Sequence, residues 1–291
     1  MKLIHISDLH FPTKLPWSQL RGKAIVGYTN YSLRRRKKHN HSIVQSLIQT
    51  IRNIDYDALV ISGDITNVSH PKEFEEAKEL LAPLLDERVF MVPGNHDRYQ
   101  KKSVHPVPLF ESFFGPFLGT KIESDSYLRK KEIAGHTFFG WDSNQPLAIA
   151  KANGEVSLEV VKQTLAEGKK NYILVCHHPI WNPNHYLESN GHKMVNRKEV
   201  AIQLQSNPPF LYLHGHSHSN WHKLPGNICA FHVLNSASST RSSDAKHLSG
   251  FHIVSIQNAK IMDIQRMSYQ NLSGSFEPTK LLSYQEEDGQ V

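Results

Sequence analysis

The sequence is poor in cysteine and has no long hydrophobic run. Its 291 residues include only Cys176 and Cys229, too few for the disulfide framework that stabilises small secreted domains. We interpret both as small buried side chains in a reducing compartment. No segment approaches the roughly 20 apolar residues that span a bilayer, so we expect any membrane contact to be peripheral.

We also expect no secretion signal. The chain runs from Met1 directly into a segment that predicts a buried strand, and no apolar stretch there is as long as the core of a signal peptide. We therefore expect a cytoplasmic protein. Peripheral binding would then take place on the inner face of the cytoplasmic membrane.

Positive charge and histidine are plentiful. The formal net charge is +6 and the sequence pI is about 9.1, which favours anionic partners such as phosphates, nucleotides or acidic lipid surfaces. Several of the 19 histidines stand beside Asp, Asn or Gly. Clusters of that kind indicate metal binding.

Short β-branched runs alternate with amphipathic segments, which predicts an α/β layered domain. We predict strands at residues 2–7, 58–62, 89–92, 136–141, 172–176, 210–213, 229–234 and 251–256. Helices are predicted at residues 42–54, 73–86 and 158–166, the last with Ser157 as its N-cap. We expect one domain over residues 1–270 and a frayed polar tail over residues 271–291.

Polar motifs follow five of the predicted strands. Because strand ends of an open α/β sheet converge on one crevice, these sequence-distant motifs can meet there. In chain order they are Ser7-Asp8-Leu9-His10, Gly63-Asp64, Gly94-Asn95-His96-Asp97, His177-His178-Pro179 and Gly215-His216-Ser217-His218.

The residue types in these motifs suit two divalent metal ions. Asp64 can bridge two ions, and Gly63 before it lets the backbone pass close to them. An Asn95 oxygen and imidazole nitrogens complete a mixed O and N ligand set that suits Mn, Fe or Zn better than Ca. Two such ions outweigh the charges of Asp8 and Asp64, so the site attracts an anion. Paired ions activate water and clamp phosphoryl oxygens.

The third motif also supplies candidate catalytic residues. His96 can protonate a leaving group or stabilise negative charge, and Asp97 can orient it. Each motif alone has a structural interpretation: Asp-x-His and Gly-Asp occur in turns, and His177 and His178 could be core histidines. The occurrence of all five, each after a strand, favours the metal site.

In this order the motifs resemble the signature of the calcineurin-like metallophosphoesterase superfamily: D-x-H, G-D, G-N-H-D/E, H and G-H-x-H. The match spans residues 2 to about 236. One departure is Ile65-Thr66-Asn67, where members often carry Arg or Asp. The resemblance implies a four-layer double β-sandwich flanked by helices. It also implies two ligand sets that share Asp64: Asp8, His10, Asp64 and His218 for one ion, and Asp64, Asn95, His177 and His216 for the other.

Residues 12–40 form an aromatic and basic insertion that ends in Arg34-Arg35-Arg36-Lys37-Lys38-His39. If helical, it carries an apolar stripe, which with the basic run predicts a segment lying on an anionic membrane. The alternative is a basic loop that caps its own domain. The stripe consists of Trp17, Leu20, Ala24, Tyr28 and Tyr31.

This insertion resembles the chlamydial-type hydrolases of UDP-2,3-diacylglucosamine. That resemblance implies hydrolysis of a pyrophosphate in a nucleotide-linked lipid, a step of lipid A biosynthesis. The main alternative is a cyclic-nucleotide or other phosphodiesterase. Nucleic acid is not the expected partner, since the sequence has neither a long coiled coil nor an added capping domain. A non-catalytic scaffold is disfavoured because seven apparent ligands and His96 are present.

Overall fold

A computed structural model describes residues 1–30, 32, 39, 41–122, 127–147, 151–186, 188–244 and 247–291. The helices of the described part are α1 (Lys23–Asn30), α2 (His41–Arg52), α3 (Pro71–Leu81), α4 (Leu109–Phe114), α5 (Leu158–Glu167) and α6 (Arg197–Leu204). The strands are β1 (Lys2–Ile6), β2 (Ala58–Ile61), β3 (Val89–Met91), β4 (Thr120–Lys121), β5 (Leu128–Ile133), β6 (His136–Trp141), β7 (Ile173–Val175), β8 (Asn182–Pro183), β9 (Leu211–His214), β10 (Trp221–Lys223), β11 (His232–Asn235), β12 (Gly250–Gln257), β13 (Lys260–Gln270), β14 (Ser275–Thr279), β15 (Ser283–Tyr284) and β16 (Gly289–Gln290).

The strands form two large sheets. One has the order β14-β13-β12-β1-β2-β3, the other the order β15-β10-β11-β9-β7-β6-β5-β4, and β8 pairs with β16 separately. Strands β1, β2 and β3 are parallel, as are β6, β7 and β9. Parallel neighbours bring the loops after their carboxyl ends to the same edge of each sheet.

Helices cover the outer face of each sheet, while the inner faces pack together. Leu3 of β1 points inward and shares a buried cluster with Leu213 of β9. The next residue, Ile4, points outward into a cluster with α2 and α3, as the alternation of strand side chains requires. On the other side, α5 and α6 pack on Leu174 and Tyr212. The predicted four-layer α/β double sandwich is confirmed.

Most predicted elements are present with shifted ends. Ser157 caps α5 by accepting a hydrogen bond from the Glu159 amide at 3.3 Å. The predicted strand 229–234 begins later, at His232. Strand β5 was missed because charged residues interrupt its apolar pattern, and α4 and α6 were missed because they are short. Helix α1 lies in the insertion, where the apolar stripe was read as helical only conditionally.

The predicted frayed tail over residues 271–291 is wrong. Strand β14 pairs with β13, β15 with β10, and β16 with β8. The Glu286 carboxylate also accepts hydrogen bonds from the amides of Asn227, Ile228 and Cys229. This segment is ordered by backbone pairing and polar contacts. Because such contacts do not require a regular spacing of apolar residues, the sequence did not predict them.

The apolar stripe of the insertion packs mainly on its own domain. Leu20, Ala24 and Tyr28 are buried in a small cluster with Leu15 and Val68. The expectation that this stripe faces a membrane is therefore wrong for these three side chains. Tyr31 and the basic run 34–38 lie outside the described residues. Within the described ranges, no helix is both long and apolar enough to cross a membrane.

Buried histidines lie between the sheets. The His5 and His252 rings are 6.3 Å apart, and His222 stacks on His232 at 5.1 Å. Burial, with a smaller contribution from the charge of Arg266, lowers the pKa of His252 to about 3. Among the described residues, neither ring nitrogen of His252 has a hydrogen-bond partner. These rings are therefore packed in the neutral form.

Acid is expected to destabilise the fold through His252. An unfolded histidine binds a proton near pH 6.5 but folded His252 only near pH 3. The unfolded state therefore holds more protons between these values, and stability falls as pH decreases. At pH 5 the loss from His252 alone is about 2 kcal/mol. The free energy of unfolding is measured by urea denaturation at pH 7 and pH 5 in the presence of chelator. Its decrease between these pH values should be smaller for His252→Gln than for the wild type. An equal difference in both proteins would refute the assignment.

Candidate metal centre

Loops at the carboxyl ends of five strands form the candidate site. Three follow the parallel strands β1, β2 and β3 of one sheet, and two follow β7 and β9 of the other. The site therefore lies at the end of the double sandwich where the carboxyl ends of these strands from both sheets meet. The structure brings together all seven predicted ligands: Asp8, His10, Asp64, Asn95, His177, His216 and His218.

The first ligand cluster joins the loops after β1, β2 and β9. His218 Nε2 lies 3.1 Å from Asp8 Oδ1 and 3.3 Å from His10 Nε2. His10 Nε2 lies 3.7 Å from Asp64 Oδ2. Nitrogen and carboxylate atoms that converge in this way can surround one cation.

The second cluster uses the same carboxylate. Asp64 Oδ2 lies 3.3 Å from His177 Nε2. Asn95 Oδ1 lies 3.2 Å from that nitrogen and 3.0 Å from His216 Nδ1. The two imidazole nitrogens are 3.3 Å apart. Asp64 thus contributes to both clusters, as a bridging ligand would.

Backbone carbonyls fix the outer edges of three rings. A carbonyl accepts a hydrogen bond from the protonated ring nitrogen, so in the neutral ring the other nitrogen keeps the lone pair that a metal needs. The pairs are His10 Nδ1 with Thr66 O at 3.0 Å, His177 Nδ1 with Ser62 O at 2.8 Å, and His216 Nε2 with His192 O at 2.7 Å. These rings are set in the tautomer suited to metal binding.

Backbone conformation at the ligands is unusual. Five of them have positive φ angles: Asp8 at 52°, His10 at 41°, Asp64 at 56°, His216 at 71° and His218 at 51°. This region is sparsely populated by residues with a Cβ and costs about 1–3 kcal/mol for each residue. Such strain concentrates at functional sites, where surrounding contacts enforce it.

Two glycines let these loops approach each other. Gly63 has a φ of 100°, a conformation that favours glycine. A Cβ at Gly94 would overlap the amide nitrogen and the carboxylate of Asp64. The predicted reason for Gly63 therefore extends to Gly94, which sequence reasoning did not single out.

The acid–base balance of the site fits cations. Burial alone would raise the pKa of Asp64, but the charge of His177, followed by His96, holds it well below its usual value. Burial alone would lower the pKa of His177, but Asp64 raises it to about 9. In the described part of the chain, the buried Asp8 Oδ1 accepts no hydrogen bond, although His218 Nε2 lies 3.1 Å from it. Bound divalent ions would neutralise the negative charges of Asp64 and Asp8 in place of protonated histidines.

His96 lies at the rim of both clusters. Its amide donates a hydrogen bond to Asp64 Oδ1 at 2.7 Å, and its Nδ1 donates to the Asn67 carbonyl at 2.6 Å. One of its ring nitrogens lies within 4.8 Å of ligand atoms of His10 and Asp64. Since Nδ1 is engaged with Asn67, proton transfer by this ring would use Nε2.

Asp97 acts on the backbone rather than on the His96 ring, which corrects its predicted role. Its carboxylate accepts hydrogen bonds from the amides of Thr66 and Gly94, both at 2.9 Å, and of Ile65 at 3.1 Å. Burial, together with the charge of Asp64, raises its pKa to about 6. Asp97 thus ties the loop after β2 to the loop after β3.

His178 is a structural residue beside a ligand. Its Nε2 donates to the Ala152 carbonyl at 2.8 Å, and its Nδ1 accepts from Ser143 Oγ at 2.8 Å. Sequence reasoning missed His39, whose ring lies 5.6 Å from His10 and whose Nδ1 is 3.1 Å from Thr240 Oγ1. It stands in the insertion, far from any ligand motif, so the sequence carried no signal for it.

Two ligand clusters that share an aspartate lie at the strand ends of this double sandwich. This arrangement is typical of the dinuclear metal-dependent hydrolases. The profile of the calcineurin-like phosphoesterase family matches residues 1–220. The chain belongs to this family. It is a hydrolase of phosphoester bonds, and its described residues offer ligands for divalent metal ions.

Two curated relatives are phosphodiesterases by name. A probable cyclic nucleotide phosphodiesterase of Ruthia magnifica subsp. Calyptogena magnifica is 26% identical over 190 residues, which cover 62% of this chain and 70% of the relative. A glycerophosphodiester phosphodiesterase, GpdQ, of Enterobacter lignolyticus is 31% identical over 97 residues. That match covers 33% of this chain and 30% of the relative.

Solved structures share the fold. A purple acid phosphatase from yellow lupin (Lupinus luteus) superposes with a TM-score of 0.57 at 12% identity, covering 99% of this chain and 54% of the phosphatase. A 5′-nucleotidase from Candida albicans gives a TM-score of 0.51 at 13% identity, covering 94% of this chain and 52% of the nucleotidase. This chain therefore spans about half the length of either enzyme.

Proposed function

We propose that this protein is a dinuclear metal-dependent phosphodiesterase. The observation that carries the proposal is the pair of ligand clusters that share Asp64, with His96 at their rim. The net positive charge of two bound ions would select an anionic phosphate substrate. The names of both curated relatives favour a diester, either a cyclic nucleotide or a glycerophosphodiester.

The chain's own residues would hold and orient the reacting groups. When bound, two divalent ions would supply an activated water and neutralise phosphoryl oxygens. His96 Nε2 would protonate the leaving oxygen, and the hydrogen bond from Nδ1 to the Asn67 carbonyl supports this role because it keeps a proton on Nδ1. Asp97 keeps the loops of Asp64 and His96 at a fixed separation.

We propose manganese as the native metal, with iron or zinc as alternatives, because the ligand set combines imidazole nitrogens with carboxylate and amide oxygens.

Product analysis tests both the proposed phosphodiesterase activity and the proposed metal. Protein reconstituted with each metal is incubated with cyclic AMP, glycerophosphoethanolamine, bis-p-nitrophenyl phosphate and UDP-2,3-diacylglucosamine. Hydrolysis of the diesters, fastest with manganese, is the expected result. Failure to hydrolyse any diester with any of the metals would overturn it.

A second candidate function is hydrolysis of the pyrophosphate of UDP-2,3-diacylglucosamine. The observation in its favour is an exposed apolar patch on the insertion, formed by Trp17, Ile25 and Val26, which are 56%, 43% and 48% exposed. Such a patch, followed in the sequence by the basic run 34–38, suits peripheral contact with an anionic membrane. In the product analysis, release of UMP and a lipid monophosphate would favour this candidate.

Membrane contact is tested separately with vesicles that contain anionic lipid. Trp17→Ser, Ile25→Ser and Val26→Ser together should lower vesicle binding by roughly 10-fold or more, since each side chain would lose its burial in the lipid interface. The matched control is Val107→Ser, Ile202→Ser and Met262→Ser, which removes apolar side chains of similar exposure elsewhere. Equal co-sedimentation of both variants would rule out contact through this patch.

A further inference from the structure

A basic pocket of about 660 Å³ lies beside the candidate metal centre. Lys23 comes from the insertion, while Lys101 and Lys102 come from the short turn that follows the His96 loop. Pro146 and Leu147 form an apolar wall. The lining residues that matter here are Lys23, Tyr99, Lys101, Lys102, Pro146 and Leu147.

Tyr99 connects this pocket to the candidate proton donor. Its ring stacks on His96 with centroids 5.7 Å apart and planes within 10° of parallel. The His96 ring in turn packs edge-on against His10, at 4.8 Å. Tyr99 therefore contacts both the His96 ring and Lys23 Nζ, which lines the pocket.

The pocket concentrates positive charge. Lys23 Nζ lies 3.9 Å from the centre of the Tyr99 ring and donates a hydrogen bond to the Leu147 carbonyl at 3.0 Å. Among the described residues, no carboxylate forms an ion pair with Lys23, Lys101 or Lys102. Three uncompensated ammonium groups around one concavity attract an anion.

We propose that this pocket is a subsite for a second phosphate, carried by the leaving group of the substrate. The inference rests on the proposed phosphodiesterase function and narrows it. The three lysines would contact the second phosphate, and the Pro146 and Leu147 wall would contact the apolar part of the leaving group. Cyclic AMP has no second phosphate, so it would be a poorer substrate than a diester with a phosphorylated leaving group.

Substrates that differ by one phosphate test the subsite. Dithymidine monophosphate is compared with the same diester carrying a terminal 5′- or 3′-phosphate, and with dithymidine pyrophosphate. Wild-type kcat/KM should be roughly 10-fold higher when the leaving fragment carries the phosphate, the scale of a charge-assisted contact. The products identify the leaving fragment. Hydrolysis of dithymidine pyrophosphate shows whether a second phosphate within the cleaved linkage raises kcat/KM as much as a terminal phosphate does.

The decisive variant is Lys101→Gln with Lys102→Gln. It should remove the preference for the phosphorylated diester while leaving kcat/KM for dithymidine monophosphate unchanged. The matched control is Lys169→Gln with Lys170→Gln, an adjacent lysine pair that precedes β7, at the strand end opposite the metal ligands. An unaltered preference in the Lys101 and Lys102 variant would overturn the subsite.

Equilibrium binding separates failure of the subsite from failure of the proposed function. Inorganic pyrophosphate is titrated into chelator-treated protein by calorimetry. Wild type and the Lys169 and Lys170 control should bind it about 10-fold more tightly than the Lys101 and Lys102 variant. If wild type hydrolyses no diester, the proposed function fails, but this titration still tests the pocket. Equal binding by all three proteins would overturn the subsite.

Discussion

Asp64→Ala is expected to abolish phosphodiester hydrolysis, with a loss of at least roughly 10⁴-fold in kcat. Asp64 Oδ2 lies 3.3 Å from His177 Nε2 and 3.7 Å from His10 Nε2, so its removal damages both ligand clusters together. Asp64 Oδ1 accepts a hydrogen bond from the His96 amide at 2.7 Å, so the loop after β3 also loses a stabilising contact in the variant. Metal content should therefore fall in parallel with activity.

The measurement combines turnover of bis-p-nitrophenyl phosphate with elemental analysis of the purified variant. Asp263→Ala, which removes an exposed carboxylate from β13, serves as the control and should leave both values unchanged. Circular dichroism reports whether the Asp64 variant remains folded. A folded Asp64→Ala protein with full activity would show that this carboxylate does not bridge the two ions.

His96→Ala is expected to keep the metals but to slow hydrolysis by roughly 10²- to 10⁴-fold, the contribution of a general acid. The effect should depend on the leaving group. An alcohol leaves only with a proton, whereas p-nitrophenolate leaves readily without one. The loss should therefore be large for an alkyl diester such as cyclic AMP and small for bis-p-nitrophenyl phosphate.

The control for this variant is His185→Ala, which removes an exposed histidine. Elemental analysis distinguishes two roles for His96, since one of its ring nitrogens lies within 4.8 Å of ligand atoms of His10 and Asp64. Loss of metal in His96→Ala would make it a ligand rather than a proton donor. An equal loss of rate for both substrates would also contradict the acid role.

The candidate ligands could be found from the sequence because they stand at ends of recognisable strands. Buried strands such as β1 and β7 appear as short β-branched runs, and the motifs follow them directly. Convergence of strand ends then predicts that residues more than 200 positions apart, such as Asp8 and His218, approach each other. Their atoms lie 3.1 Å apart.

The supporting contacts could not be predicted in the same way. Ser62, Thr66 and His192 orient the ligand rings through backbone carbonyls, which every residue carries. The left-handed conformation of Asp8 and His218 is likewise not evident from the residue type, because most Asp and His residues have negative φ angles. The role of Asp97 depended on which amides the folded loops brought to its carboxylate.

By itself the sequence determined the layered α/β fold, the strand ends that carry the ligands, and the metal chemistry that those ligands support, because local periodicity and side-chain type encode each of these. Tertiary structure alone decided that β14 completes a sheet edge, that Leu20 and Tyr28 pack on the protein's own domain, and that Lys23 joins Lys101 in one pocket. Each of these depends on which other segment a residue contacts, and the local pattern of the chain does not encode the identity of that segment.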